Sequence, residues 1–151
     1  MVRPEEDKVR EFLYNNSADD SGIVKNVFIT GDEVIKAVKS PSWLRTADVA
    51  RDKLESLEEA GIPHPRTEVE EFDLSDIPVH GEIREDQENY GENCTTVFQD
   101  RVDTLDRFGR EELEDVLNIV DYAAQHGIVF PDNSADNWGY VDGELNRVDV
   151  T

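Results

Sequence analysis

The order of polar residues in the last twenty positions constrains this chain more than any other feature. Asp132 is followed five positions later by Asn137, and Asp149 stands near the end of the same segment. Between Asn137 and Asp149, two short stretches flank Asp142-Gly143, a pair typical of a tight β-hairpin turn. The sequence therefore predicts a loop that carries Asp132 and Asn137, followed by a hairpin that leads to Asp149.

A carboxylate, a carboxamide and a second carboxylate in this order match the needs of phosphoryl transfer. The first orients the attacking hydroxyl, the second holds a metal ion, and the third holds the metal that bridges the phosphates. Asp132 is therefore the candidate catalytic residue, and Asn137 and Asp149 are the candidate ligands of Mg²⁺, which prefers oxygen donors. The alternative is coincidence, because 36 of the 151 residues are acidic and any one Asp is easily placed by chance.

The rest of the sequence predicts an α+β domain. Helical patterns cover residues 4–14, 47–60 and about 110–126, and strand patterns cover residues 23–30, 33–39, 67–72, 94–102, 138–141 and 144–148. Residues 73–93 read as a long acidic loop without a strong pattern. At 151 residues the chain has the length of one domain, and we expect a single one over residues 1–151.

Local signals also predict the ends and faces of these elements. Gly31-Asp32 is expected to form a hairpin turn, Thr46 to cap the second helix at its start, and Gly61 to end it. For the third helix, helical spacing predicts this buried face: Leu113, Val116, Leu117, Val120 and Ala124.

The charge balance limits the partners of the chain. There are 36 acidic and 15 basic residues, so the formal net charge is −21. Binding to nucleic acid relies on Lys and Arg that displace counterions, so we expect no nucleic-acid partner. Because the acids are dispersed, lysines are few and 37% of residues are apolar, the composition favours adaptation to high salt in a halophilic archaeon or its virus. An ordinary acidic bacterial or phage protein is the alternative.

The sequence carries no membrane or export signal. No apolar run approaches the roughly 20 residues of a bilayer span, and the first residues lack the apolar core of a signal peptide. Cys94 is alone, so no disulfide can form within the chain. We therefore expect a cytoplasmic protein without a membrane partner.

The order of the elements resembles the small lobe and the first part of the large lobe of the protein-kinase-like superfamily. Val34-Ile35-Lys36 resembles the strand whose lysine grips the nucleotide phosphates. The closing segment is similar to the catalytic loop and metal-binding strand of small phage kinase-like proteins and of RIO and aminoglycoside-type phosphotransferases. The resemblance covers most of the chain and implies a small lobe over about residues 1–102 and a minimal, truncated large lobe over about residues 103–151.

The same resemblance implies where a nucleotide would bind. Gly22 stands where a glycine of the phosphate-covering loop is expected, and Lys36 would hold the phosphates. Backbone groups near Asp100 and Val102 would hold the adenine ring, and Asp106 would reach the ribose hydroxyls. ATP and Mg²⁺ are the implied cofactors. The structural alternatives are an ordinary turn glycine at position 22 and a solvated strand lysine at position 36.

The sequence also departs from the family pattern. Ala50 stands where the helix glutamate that pairs with the lysine is expected, and Phe130-Pro131 replace the His or Tyr and the Arg before the catalytic Asp. The chain ends two residues after Asp149, before any peptide-docking region. The sequence therefore predicts a minimal ATP-binding protein, either a phosphotransferase to a hydroxyl acceptor or a weak or inactive pseudokinase that regulates a protein partner. A third reading is an acidic α+β protein with no nucleotide site.

Overall fold

The computed structural model describes residues 5–21, 24–39, 46–80 and 89–149. Its α-helices are α1 (Glu6–Asn15), α2 (Ala47–Ala60) and α3 (Arg110–Gln125). Its strands are β1 (Asp20–Ser21), β2 (Lys25–Thr30), β3 (Glu33–Val38), β4 (Thr67–Phe72), β5 (Cys94–Asp100), β6 (Trp138–Val141) and β7 (Glu144–Arg147). The fold is α+β, as the sequence predicts. In these ranges, no helix combines the length and the apolar character needed to cross a bilayer.

The chain divides into two compact units. The first contains residues 1–50 and 67–99, and the second contains residues 51–66 and 100–151. The division at Asp100 lies close to residue 102, but residues 51–66, which the resemblance places in the small lobe, belong to the second unit.

The first unit is built on a five-stranded sheet in the order β1-β2-β3-β5-β4. The pairs β1–β2, β2–β3 and β4–β5 are antiparallel. Gly31 opens the turn between β2 and β3 with a φ of +61°, a backbone conformation that glycine adopts without strain. This confirms the predicted hairpin.

One face of the sheet carries the larger core. Its buried members come from α1, from the strands and from the segment after β4: Val9, Leu13, Phe28, Ile35, Ala37, Phe72, Leu74, Ile77, Val79, Tyr90, Cys94 and Phe98. Four of these, namely Leu74, Ile77, Val79 and Tyr90, come from the acidic segment that was predicted to have no strong pattern. Its described parts, residues 73–80 and 89–93, are therefore a component of the core, because their isolated apolar residues all turn inward.

The other face of the sheet packs against the first turn of α2. The residues in contact are Ala47, Ala50, Val69 and Val97. Small side chains on the helix let it approach the sheet closely. Ala50 is thus a packing residue of the first unit.

Both predicted boundaries of α2 are confirmed. The hydroxyl of Thr46 accepts a hydrogen bond from the amide of Val49 at 3.3 Å, which satisfies a donor that the helix itself cannot pair. After the last turn Gly61 has a φ of +70°, and the amide of Ile62 donates to the carbonyl of Leu57 at 3.0 Å. This is the Schellman arrangement that ends many helices.

The predicted buried face of α3 is wrong in part. The residues that pack inward form one helical row: Val116, Ile119, Val120 and Ala123. Leu113 and Leu117 are 43% and 56% exposed, and Ala124 is also exposed. The apolar arc of α3 spans two adjacent rows, so spacing alone cannot choose between them. The choice is made by the partners of the buried row: Trp138 and Leu145 cluster with Val116, and residues of the α2 region, including Leu57, cluster with Ala123.

Two matched truncations test this face. Val116→Ala removes two methyl groups from a side chain that is 3% exposed, so we expect the free energy of unfolding to fall by about 1.5–3 kcal/mol. Leu117→Ala removes more apolar surface from an exposed position, so we expect a change within about 0.5 kcal/mol. Denaturant titration of both variants measures the difference. A larger loss for Leu117→Ala than for Val116→Ala would restore the face that the sequence predicts.

Candidate functional site

The second unit contains the candidate catalytic segment. It consists of residues 130–137, here named the Asp132 loop, followed by the hairpin of β6 and β7. The hairpin turns at Asp142 and Gly143, which have φ angles of +51° and +81°. Two successive positive angles suit the right-handed twist of paired strands, and Asp-Gly supplies them at low cost. The predicted hairpin is confirmed, with Trp138 directly opposite Arg147.

Asp132 is exposed and tied to Ser134. Its Oδ1 accepts hydrogen bonds from the Ser134 amide at 3.0 Å and from the Ser134 hydroxyl at 2.8 Å. The hydrogen bond from the Ser134 amide, followed by that from the Ser134 hydroxyl, holds the pKa of Asp132 below its ordinary value. A hydrogen bond from Asn137 and the charge of Arg147 act in the same direction. A carboxylate with a low pKa is a weak base, so its suitable role is to orient a hydroxyl rather than to remove its proton early.

The same turn occurs a second time in the chain. In the first unit, Oδ1 of Asp73 accepts from the Ser75 amide at 3.1 Å and from the Ser75 hydroxyl at 2.7 Å. The pKa of Asp73 is also lowered, with these two bonds as its main causes. Both turns are local products of an Asp-x-Ser sequence. The turn therefore does not mark a site, and what distinguishes Asp132 is its surroundings.

Asn137 connects the Asp132 loop to the end of β7. It closes a short 3₁₀ helix, Ala135–Asn137, and its Nδ2 donates to the carbonyl of Asp132 at 3.2 Å. Its own carbonyl accepts the amide of Val148 at 2.8 Å. Hydrogen bonds thus link Asn137 both to Asp132 and to the residue before Asp149.

Arg147 is the central residue that sequence reasoning missed. It is 2% exposed, and its guanidinium carbon lies 4.6 Å from the ring centroid of Phe130 and 5.1 Å from that of Trp138. Its Nη1 donates to Oδ1 of Asn133 at 3.1 Å, and its Nε donates to the carbonyl of Asp149 at 3.0 Å. One buried cation therefore contacts both the Asp132 loop and the strand end that carries Asp149.

The charge of Arg147 is balanced within the same segment. Burial lowers the pKa of Arg147, while the carboxylates of Asp149, Asp132 and Asp136 act to raise it. Arginine stays protonated in proteins, so the guanidinium is a fixed positive charge among these acids. A signal for it was present in the sequence: Arg147 shares a strand face with Leu145, which packs in the core.

The segment after β5 packs against the same hairpin. Thr104 forms an isolated bridge with Gly139. A Cβ on Gly139 would lie 2.5 Å from the carbonyl oxygen of Asp103 and 2.6 Å from Cγ1 of Val102, so no larger residue fits without movement. Val102, predicted to lie beside an adenine ring, is therefore brought to the hairpin that carries the metal candidates.

Asp100 and Asp106 are the other residues of the second unit that the resemblance assigns to nucleotide binding. The amide of Asp100 donates to the carbonyl of Arg66 at 2.9 Å, and its carboxylate lies 3.5 Å from Nε of the same residue. This backbone donor is therefore already used. Asp106 is exposed.

Lys36 lies in the first unit, on β3. It is 8% exposed. Because side chains alternate along a strand, it points away from Ile35 and Ala37, which belong to the larger core, and so lies on the sheet face against which the first turn of α2 packs. Gly22 lies outside the described residues.

The donor set suits magnesium better than a transition metal. Across residues 5–21, 24–39, 46–80 and 89–149, no three His, Cys, Asp or Glu side chains gather into a metal-binding group. Mg²⁺ is commonly held by one or two protein oxygens, with waters and substrate phosphates completing its shell. The amide of Asn137, whose Nδ2 is engaged in the loop, and the half-buried carboxylate of Asp149 fit that pattern.

Comparison of the chain with protein-family models, with curated proteins and with solved structures finds no match.

The two Asp-x-Ser turns predict a reciprocal pair of pKa changes. Ser134→Ala should raise the pKa of Asp132 and leave that of Asp73 unchanged. Ser75→Ala should raise the pKa of Asp73 and leave that of Asp132 unchanged. Because both pKa values are lowered in the folded state, the stabilisation from each ionised carboxylate is present above the ordinary aspartate pKa of about 3.9 and is lost as the pH falls through the folded value.

Carbon-13 NMR of the carboxyl groups during an acid titration measures both residues in one sample. An Asp132 midpoint that does not move in Ser134→Ala would assign the lowered pKa to other groups.

Proposed function

We propose that this chain is a protein-kinase-like protein that binds Mg-ATP. The observation that carries the proposal is the packing in the second unit. Three segments meet on one hairpin: the Asp132 loop, the strand end at Asp149 and the stretch after β5 that includes Val102. They follow one another in the chain in the order of a nucleotide-binding linker, a catalytic loop and a metal-binding strand.

The first unit supports the same proposal. Protein kinases hold the ATP phosphates with a lysine on the third strand, and the helix that follows carries its acidic partner. Lys36 is on β3, α2 is the helix that follows among the described residues, and Lys36 lies on the sheet face against which the first turn of α2 packs.

Each residue would then have a defined role. Asp132 orients the acceptor hydroxyl, Lys36 contacts the phosphates, and Asn137 and Asp149 hold Mg²⁺. The metal, when bound, neutralises charge on the phosphate oxygens. The backbone near Asp100 and Val102 holds the adenine ring, Asp106 contacts the ribose, and Gly22 lies in the phosphate-covering loop.

One observation favours binding without efficient catalysis. Ala50 occupies the position proposed for the acidic partner of Lys36. It is buried with Val69 and Val97, and its side chain carries no charge that could pair with the lysine. Loss of a positioning contact is costly in this chemistry, because a misplacement of about 1 Å can lower the rate about 100-fold. The second candidate function is therefore a pseudokinase whose acidic surface contacts a protein partner.

Asp149→Asn should abolish the Mg²⁺-dependent part of ATP binding, because the variant loses an anionic metal ligand while keeping its size. Asp142→Asn is the matched control: it removes the same charge from the same hairpin, and Asn tolerates the positive φ at this position. Isothermal titration with ATP at molar KCl, with and without Mg²⁺, measures both. Equal Mg-ATP affinity in wild type and in Asp149→Asn would reject the metal site.

A turnover measurement separates the enzyme from the pseudokinase. We expect phosphoryl transfer from radiolabelled ATP to be slow or absent, with or without generic protein substrates at high salt. Robust turnover that disappears in Asp132→Ala would establish the chain as a phosphotransferase.

A further inference from the structure

The Asp132 loop is joined to the rest of the second unit by few polar contacts. Most of its hydrogen bonds are internal, such as those of Ser134 with Asp132 and Asp136. Phe130 and Pro131, the two residues before Asp132, bring no cation that could tie the loop to its surroundings. The bond from the Val148 amide to the Asn137 carbonyl ties the far end of the loop to the strand end, and a second contact would be needed to fix the part of the loop that carries Asp132.

Arg147 provides that second contact from β7. Its Nη1 bonds the Asn133 side chain in the loop, and its Nε bonds the backbone carbonyl of Asp149 at the strand end. A guanidinium is planar and rigid, so two acceptors bound to it are held at a fixed separation. A lysine has a single flexible ammonium and could not fix both acceptors in this way.

The position of Arg147 is itself fixed. Its backbone amide donates to the carbonyl of Pro63 at 2.9 Å. Its guanidinium lies over both rings of an edge-to-face pair, Phe130 and Trp138, whose centroids are 5.8 Å apart at 85°. Phe130 belongs to the Asp132 loop, so the cation holds the loop through an aromatic contact as well as through Asn133.

We propose that Arg147 is the positioning residue of this site, a buried fork that sets the placement of the Asp132 loop relative to Asp149. It supplies from the C-terminal side of the loop the cation that Phe130-Pro131 lack on the N-terminal side. Its importance for nucleotide chemistry rests on the proposed function, whereas the connection between loop and strand does not.

Variants of Asn133 test the connection while Arg147 itself is kept. Asn133→Ala removes the acceptor of Nη1, and Asn133→Asp keeps an acceptor there while losing the Nδ2 donor that bonds the Phe130 carbonyl. The reporter is amide hydrogen exchange at Val148, whose amide bonds the carbonyl of Asn137 and so spans loop and strand. We expect exchange at least about 10-fold faster in Asn133→Ala and wild-type exchange in Asn133→Asp, because bonds to charged groups are among the stronger ones.

Arg147→Lys gives an independent result. We expect Val148 exchange to rise about 10-fold or more because lysine cannot bond both acceptors, while the amides between β2 and β3 in the first unit keep wild-type rates. Unchanged Val148 exchange in both Asn133→Ala and Arg147→Lys would overturn the proposal. If Arg147→Lys does not fold, the Asn133 pair decides alone.

A binding measurement links the connection to nucleotide chemistry. Asn133→Ala should weaken ATP binding in the presence of Mg²⁺ about 10-fold and leave Mg²⁺-free binding unchanged, with recovery in Asn133→Asp. If Asn133→Ala lowers ATP affinity equally with and without Mg²⁺, the role of Arg147 is purely structural. If the wild type binds no Mg-ATP, the proposed function fails, and the exchange data still decide whether Arg147 positions the loop.

Discussion

The second unit depends on a buried positive charge. Removing an ion from water costs several kcal/mol even after a protein relaxes around it, so a buried guanidinium persists only where hydrogen bonds and counter-charges replace its hydration. Around Arg147 these come from the Asn133 side chain, the Asp149 carbonyl and nearby carboxylates. In a chain with a net charge of −21, carboxylates that can act as counter-charges are plentiful. A buried cation is therefore easier to compensate here than a further buried acid would be.

Features specified by a few neighbouring residues could be predicted from the sequence. The Asp142-Gly143 turn, the Thr46 cap and the Gly61 stop are each determined by side-chain or backbone preferences within one turn of chain, and the structure has all three. The α3 face could not be predicted with the same success, because two apolar rows compete on one helix. The row that is buried is selected by residues far away in the sequence: Trp138 and Leu145 of the later hairpin, and Leu54, Leu57, Ala60 and Ile62 of the α2 region.

The candidate site shows the same division. Asp132, Asn137 and Asp149 could be named from spacing, and Asn137 lies between the Asp132 loop and the end of β7. Arg147 was missed because a charged residue is by default expected at the surface, and only the strand alternation with Leu145 argued otherwise. Asp73 gives the complementary result: its hydrogen bonds with Ser75 match those of Asp132 with Ser134, although Asp73 belongs to no candidate site, so local geometry cannot by itself identify a site.

The contact at Gly139 has a mechanical consequence. With Cγ1 of Val102 and the carbonyl of Asp103 already where a side chain would begin, the backbone of β6 lies directly against the segment after β5, and Gly139 has no side chain that could absorb a displacement. Such hard contacts compress very little. A shift of the segment after β5 would therefore be passed to β6 almost undiminished and would reach Asn137, two residues before Gly139. Gly139 thus makes the joint between these segments stiff.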